Sequence, residues 1–302
     1  MKKQKRPRIT AQRNKANAVT SELKRVTDFI LSQKIRTEKI ICFGSTIKST
    51  KNTSCFENNE DETKSSELNK YYILLVPSIE EKQADVVIQQ RIEQALKQFA
   101  EVTIIIHRMQ EINQALQNGN SFFTTIYKKG MLLYDSDNEP FIGPTEGEEI
   151  SKRTTKREKL WNKWFELSEN FLSGARFYAK EQKNNLAIFM LHQTLQHCYS
   201  GMLRVLTGYR TNTNGLSRLL RLIENIIPES KFSGTYNTPE NTRLTKLLLK
   251  GFGDARYNDK FEATPEEVET LINRIEHTLK EANVVCLNKL KLINEGSIPY
   301  TA

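Results

Sequence analysis

Residues Thr264–Leu290 read TPEEVETLINRIEHTLKEANVVCLNKL. Thr264, Pro265, Glu266 and Glu267 form a capping-box signature with proline at the first helical position. The threonine hydroxyl can accept from the third helical amide while the Glu267 carboxylate reaches back to the threonine N–H. Behind this start, Val268, Leu271, Ile275, Leu279, Ala282, Cys286 and Leu290 recur every three or four residues. That spacing lays one apolar stripe along a long helix, and a stripe of this kind has to be buried against other elements.

Working outward from this helix, the same period recurs upstream. Leu244 to Leu249 begins one helix, and Leu216, Leu219, Leu220 and Ile223 mark another. A further helix is predicted over 185–207. One over 155–182 sets Trp164, Phe165, Phe171, Leu172, Ala175 and Tyr178 on one side, with Trp161 and Trp164 as packing anchors. The chain over 153–295 is therefore predicted to be an all-α bundle of four or five helices. Residues 136–152, rich in proline, glycine and acids, read as a linker.

The N-terminal half has a different rhythm. Tyr71-Tyr72-Ile73-Leu74-Leu75-Val76 is too continuously apolar for a strand with one wet face, so it is predicted to be central in its sheet. Before it, Val19, Leu23, Val26 and Ile30 mark a helix, and Lys39-Ile40-Ile41-Cys42-Phe43 a strand ending in a tight turn at Gly44-Ser45. Residues 49–70 are polar and read as a loop insertion. After it come a helix over 82–99, a strand over Val102 to Ile106, helix through Ile112, Leu116 and Phe122–Tyr127, and a last strand Met131–Tyr134. The order predicts an α+β domain over 17–135, a small mixed sheet with helices.

Net charge is +9, yet Met1 to Lys15 hold seven basic side chains and no acid; taking those seven from +9 leaves +2 for the rest. Residues 1–16 are a basic tail that either neutralises phosphates or is simply solvated, while the body is near neutral. No run approaches the roughly 18 apolar residues that span a bilayer, and the basic start lacks the apolar stretch of a secretory signal. A cytoplasmic location with no membrane partner is expected. Cys42, Cys55, Cys198 and Cys286 are far apart, with no CxxC pair, so neither a disulfide framework nor a zinc site is suggested.

Phe43-Gly44-Ser45 and the closing Phe122–Tyr134 segment resemble the minimal nucleotidyltransferases. In that family a strand ends in Gly-Ser and opens a helix whose amides hold nucleotide phosphates; the next strand supplies two metal-binding carboxylates. The second half resembles HEPN domains of bacterial proteins, through Leu191-His192-Gln193-Thr194-Leu195-Gln196-His197, Leu206-Thr207-Gly208-Tyr209, Asn214-Gly215-Leu216 and Ala255-Arg256-Tyr257. The resemblance implies a degenerate nucleotidyltransferase-like domain joined to a HEPN domain that pairs through its helices into a homodimer.

Both chemistries the resemblance implies lack their key groups. Tyr71 and Ile73 stand at the two carboxylate positions, where neither can ligate magnesium, and Thr103 or Glu101 stands near the third. HEPN ribonucleases resemble one another in an arginine followed four to six residues later by histidine, whereas Arg256 is followed there by Phe261 and Glu262. General acid–base cleavage of RNA needs that imidazole.

The expectation is a non-catalytic protein that binds a nucleotide or RNA, with no cofactor and no metal site. Gly44 and Ser45 would meet phosphate through their amides, or simply make a turn. Arg210, Arg256 and Tyr257 complete the candidate ligand residues; an arginine at such an edge is alternatively paired with an acid such as Asp254. His192 and His197 are expected in the core or at a dimer interface. The alternatives are a divergent nucleotidyltransferase using magnesium, a ribonuclease-type toxin, or a structural oligomerising protein.

Overall fold

A computed structural model of the chain describes residues 19–47, 51–54, 69–145, 150–211, 215–226 and 239–295. The basic tail, most of the polar insertion with Cys55, and Asn214 lie outside the described residues. The chain forms two compact units, dividing between Gly147 and Glu148.

The first unit runs α1 (Val19–Ser32), β1 (Thr37–Ile47), β2 (Lys51–Ser54), β3 (Lys70–Pro77), α2 (Asp85–Leu96), β4 (Glu101–Ile106), α3 (Met109–Gln117), α4 (Ser121–Lys129) and β5 (Met131–Asp135). Its sheet is mixed: β3 lies between β1 and β4, while β2 and β5 both pair with β1. The β3–β4 pair is parallel and the others antiparallel. As its unbroken apolar run predicts, β3 is buried on both faces from Tyr71 to Pro77. Tyr71, Ile73 and Leu75 join Ile40, Cys42 and the apolar stripes of α1 and α2 in one core. On the other face Phe43 meets Tyr72 and the edge of Phe122, with ring centroids 6.2 and 5.9 Å apart. Burial pushes the Cys42 thiol up to about 11, so it packs as a small apolar group.

Two expectations are corrected. The strand expected to end at Gly44-Ser45 continues to Ile47, and Lys51–Ser54, expected as loop, pairs with it as β2. The physical reason is a bulge: Cys42 faces Ile73 and Gly44 faces Tyr72, leaving Phe43 as an extra residue. A glycine beside a bulge lets the strand bend and keep its ladder instead of turning away. Residues 136–145, read as linker, are tied to the first unit. The Ile142 amide donates to Asn113 Oδ1 (2.8 Å), and the Thr145 hydroxyl to the Gln117 carbonyl (2.6 Å).

The second unit is helical: α5 (Ile150–Lys180), α6 (Asn184–Thr207), α7 (Leu216–Ile226), α8 (Pro239–Lys250), α9 (Asp254–Tyr257) and α10 (Pro265–Asn294). The helix α6 packs against α5, α10 and α7. It approaches α5 closely because residue 201 is glycine; a Cβ there would stand 2.8 Å from Trp164 Cβ. It ends where Gly208, with φ of 84°, takes the left-handed cap conformation. No helix among the described residues is long and apolar enough to cross a membrane.

The capping box read from sequence is built as expected. Thr264 accepts from the Glu267 amide at 3.2 Å, and Glu267 accepts from the Thr264 amide at 2.9 Å. Thr264→Ala is expected to lower the second unit's stability by about 1 kcal/mol, read as a shift in its urea midpoint.

Candidate functional site

The seat expected beside Gly44 and Tyr71 is filled. The backbones of Gly44 and Ser45 face Ser54 and Thr53 of β2 on one side, and Tyr72 and Tyr71 of β3 on the other. No helix begins there, so the anion-binding helix start that the resemblance implies is absent at these residues, because their amides belong to a sheet. Tyr71 is 1% exposed, and its hydroxyl joins a hydrogen-bonded cluster with Glu22 of α1 and Asn69. Burial first, and the Glu22 charge second, push its phenol well above the usual range. Ile73 and Thr103 are buried as well. Among the described residues no three side chains of the His, Cys, Asp and Glu types cluster in a way that could hold a metal ion.

In the second unit the short helix α9 brings Arg256 and Tyr257 to the surface. The Arg256 guanidinium lies over three rings, 4.3 Å from the centroid of Phe252, 4.7 Å from Tyr257 and 5.0 Å from Phe189. Phe252 and Arg256 are four apart, and Arg256 Nε donates to the Phe252 carbonyl at 2.7 Å. Phe189 comes from α6 and stacks beside Phe252 at 6.2 Å. Asp254, the acid weighed as a partner, instead pairs with Lys250 at 3.5 Å. The Nη groups of Arg256 therefore meet no protein acceptor among the described residues. Tyr257 is 78% exposed.

Beneath this cluster His192 is in the core. Its Nδ1–H donates to the Leu248 carbonyl at 2.7 Å, its ring sits 5.8 Å from Phe252, and Nε2 is enclosed without a partner. Burial, then the Arg256 charge, hold it below the ordinary histidine pKa, and the Leu248 bond opposes this. The imidazole is thus neutral at pH 7. His197 is half-buried, stacked on Phe171 at 4.8 Å and beside Trp164 at 5.6 Å.

Because the folded pKa of His192 is depressed, the unfolded chain binds the proton more readily. Its contribution is intact above the unfolded value of about 6.5 and is lost as pH falls below it. Urea denaturation is expected to show the second unit weakening from pH 7.5 to 5.5. His192→Asn, which can keep the Leu248 bond, should flatten that dependence.

The remaining expected residues do not join this site. Arg210 is exposed two residues beyond Gly208 and makes no hydrogen bond, ion pair or ring contact among the described residues. Gly44 and Ser45 belong to the other unit. A cavity of about 520 Å³ opens where α6 begins, lined by Lys183, Asn184, Asn185, Arg243, Glu262 and Thr264. Its arginine is committed to the Glu267 carboxylate, as the raised Arg243 pKa reflects.

The helical unit thus presents an arginine on an aromatic bed, above a neutral buried histidine. Residues 161–285, most of the second unit, match the HEPN domain family. No curated protein matches the chain. Sequence reading found Arg256 and Tyr257 but missed Phe189 and Phe252. Phe252 lies in the turn just before α9, four residues ahead of Arg256, and that short separation was the available signal.

Proposed function

We propose that this chain is a non-catalytic nucleotide- or RNA-binding regulatory protein. Its HEPN domain supplies the binding surface, and its first unit is a degenerate nucleotidyltransferase-like domain. The observation that carries the reading is Arg256, whose Nη groups meet no acceptor among the described residues while its guanidinium lies over aromatic rings. Such a group can clamp a phosphate with charge-assisted hydrogen bonds. In the region where HEPN ribonucleases keep a histidine this chain has Phe261, which is buried, and Glu262, which is exposed; neither supplies an imidazole. His192 is enclosed and cannot reach a substrate hydroxyl. Pairing of two copies through the helical unit belongs to the same reading, supported by Leu167 and Phe177, which are 38% and 59% exposed on α5.

The test is calorimetry of the full chain with nucleotides and with RNA oligomers. Binding is expected, and Arg256→Ala should weaken it and reduce the salt slope by about 1. No heat with any of these ligands would end the binding reading. Cleavage of the RNA, or magnesium-dependent transfer of a labelled nucleotide to an acceptor, would instead favour the enzymatic alternatives.

A further inference from the structure

The shape of the Arg256 cluster says more than that it takes an anion. We infer that it is a stacking platform for an unpaired base of single-stranded RNA, with Tyr257 as the ring and Arg256 as the phosphate clamp. This rests on the binding reading above and narrows its ligand.

Three features separate the candidate ligands. Free nucleotides are held in concave sites that bury 70–90% or more of a small ligand. Here Tyr257 is 78% exposed and Phe252 41%, so the surface is open and can cover one face of a ring but not enclose it. A base that is part of a strand gains affinity from its neighbours and does not need enclosure. In a duplex the bases are already stacked on one another, and A-form RNA is read through its backbone and minor groove, not through ring faces. An exposed tyrosine therefore has nothing to stack on in a helix, whereas an unpaired base offers a whole face.

The chemistry of the arginine fits the same ligand. Its guanidinium is held over Phe252, 4.3 Å from the ring centroid, by the Nε bond to the Phe252 carbonyl, so its position is set before any ligand arrives. The Nη edge remains for a phosphate, which takes paired N–H donors well. Tyr257 follows Arg256 directly, and their centroid distance of 4.7 Å puts a ring and a phosphate donor within one nucleotide's reach. Lys260, exposed three residues further on, makes no ion pair among the described residues and adds positive charge along the strand's path.

The experiment is fluorescence anisotropy of the full chain over a series of salt concentrations, with the probes compared at the same salt. The probes are a labelled 12-nucleotide single-stranded RNA, the blunt duplex of the same sequence, and unlabelled AMP and ATP as competitors. Tighter binding of the single strand than of the duplex is expected, with weak competition by either nucleotide. Tyr257→Ala should weaken single-strand binding roughly ten-fold, and Tyr257→Phe should restore it. Neither substitution adds or removes a basic side chain, so the salt slope should stay unchanged in both variants; this separates the platform from charge contributed by the basic tail. Equal affinity for the duplex, or a silent Tyr257→Ala beside a weakened Arg256→Ala, overturns this inference and leaves the binding reading standing. Absence of binding to any RNA or nucleotide overturns both.

Discussion

Ile73→Asp is expected to unfold the first unit. Residue 73 is fully buried, faces Cys42 on one neighbouring strand and Ile104 on the other, and contributes to the core shared with α1 and α2. An ionised carboxylate moved there costs several kcal/mol even after relaxation, and loss of the isoleucine packing adds about 2–5 kcal/mol. Together these rival the whole stability of an ordinary domain, about 5–15 kcal/mol. Both tryptophans, Trp161 and Trp164, lie in the second unit, so their fluorescence follows that unit alone. The expected result is loss of the first unit's circular-dichroism transition while the tryptophan transition stays in place. The stakes exceed stability, because residue 73 stands where the nucleotidyltransferase resemblance puts a metal-binding acid. A folded Ile73→Asp protein would mean the strand still tolerates a carboxylate there, and the degenerate reading would lose its physical basis.

How far the sequence reached depended on whether the deciding interaction was local. The last helix was legible from Thr264 onward because its cap and its stripe are both short-range patterns. The burial of β3 was legible because a continuous apolar run leaves no wet face. Gly44-Ser45 was misread for the opposite reason. The two residues alone read as a turn, and what keeps the strand going is pairing with β2, which lies in a polar stretch with no apolar pattern to mark it, and with β3 further along the chain. The proposed binding surface divides the same way. Arg256 and Tyr257 were visible in a short recurring string, whereas Phe189 reaches them from another helix and leaves no local trace. The cation–aromatic stack that orients the arginine is thus a tertiary product. Asp254 looked like its partner in sequence but sits one turn from Lys250 and takes that charge instead.

Trp161→Ala carries the second large effect, because one side chain ties three helices of the second unit together. Trp161 is fully buried in α5, with its ring 5.6 Å from Phe165. Its Nε1–H donates to Asn283 Oδ1 of α10 at 2.8 Å. It also lies at the α6 crossing, where a Cβ on Gly201 would stand 3.4 Å from its Cζ3. Truncation leaves a cavity at this seam and costs about 3–5 kcal/mol; Asn283 loses its partner too. Asn283→Ala removes the hydrogen bond while keeping the ring, so about 1 kcal/mol is expected from it. Urea denaturation followed by circular dichroism should rank the variants in that order, with Trp161→Phe between them. The arginine platform is built from α6 and α9, so it stays oriented only while the bundle holds. RNA binding by Trp161→Ala should accordingly fall with the folded fraction, and recover when low temperature or a stabilising osmolyte restores the fold. If Trp161→Ala instead unfolded like the native protein, the seam of α5, α6 and α10 would not be what supports the platform.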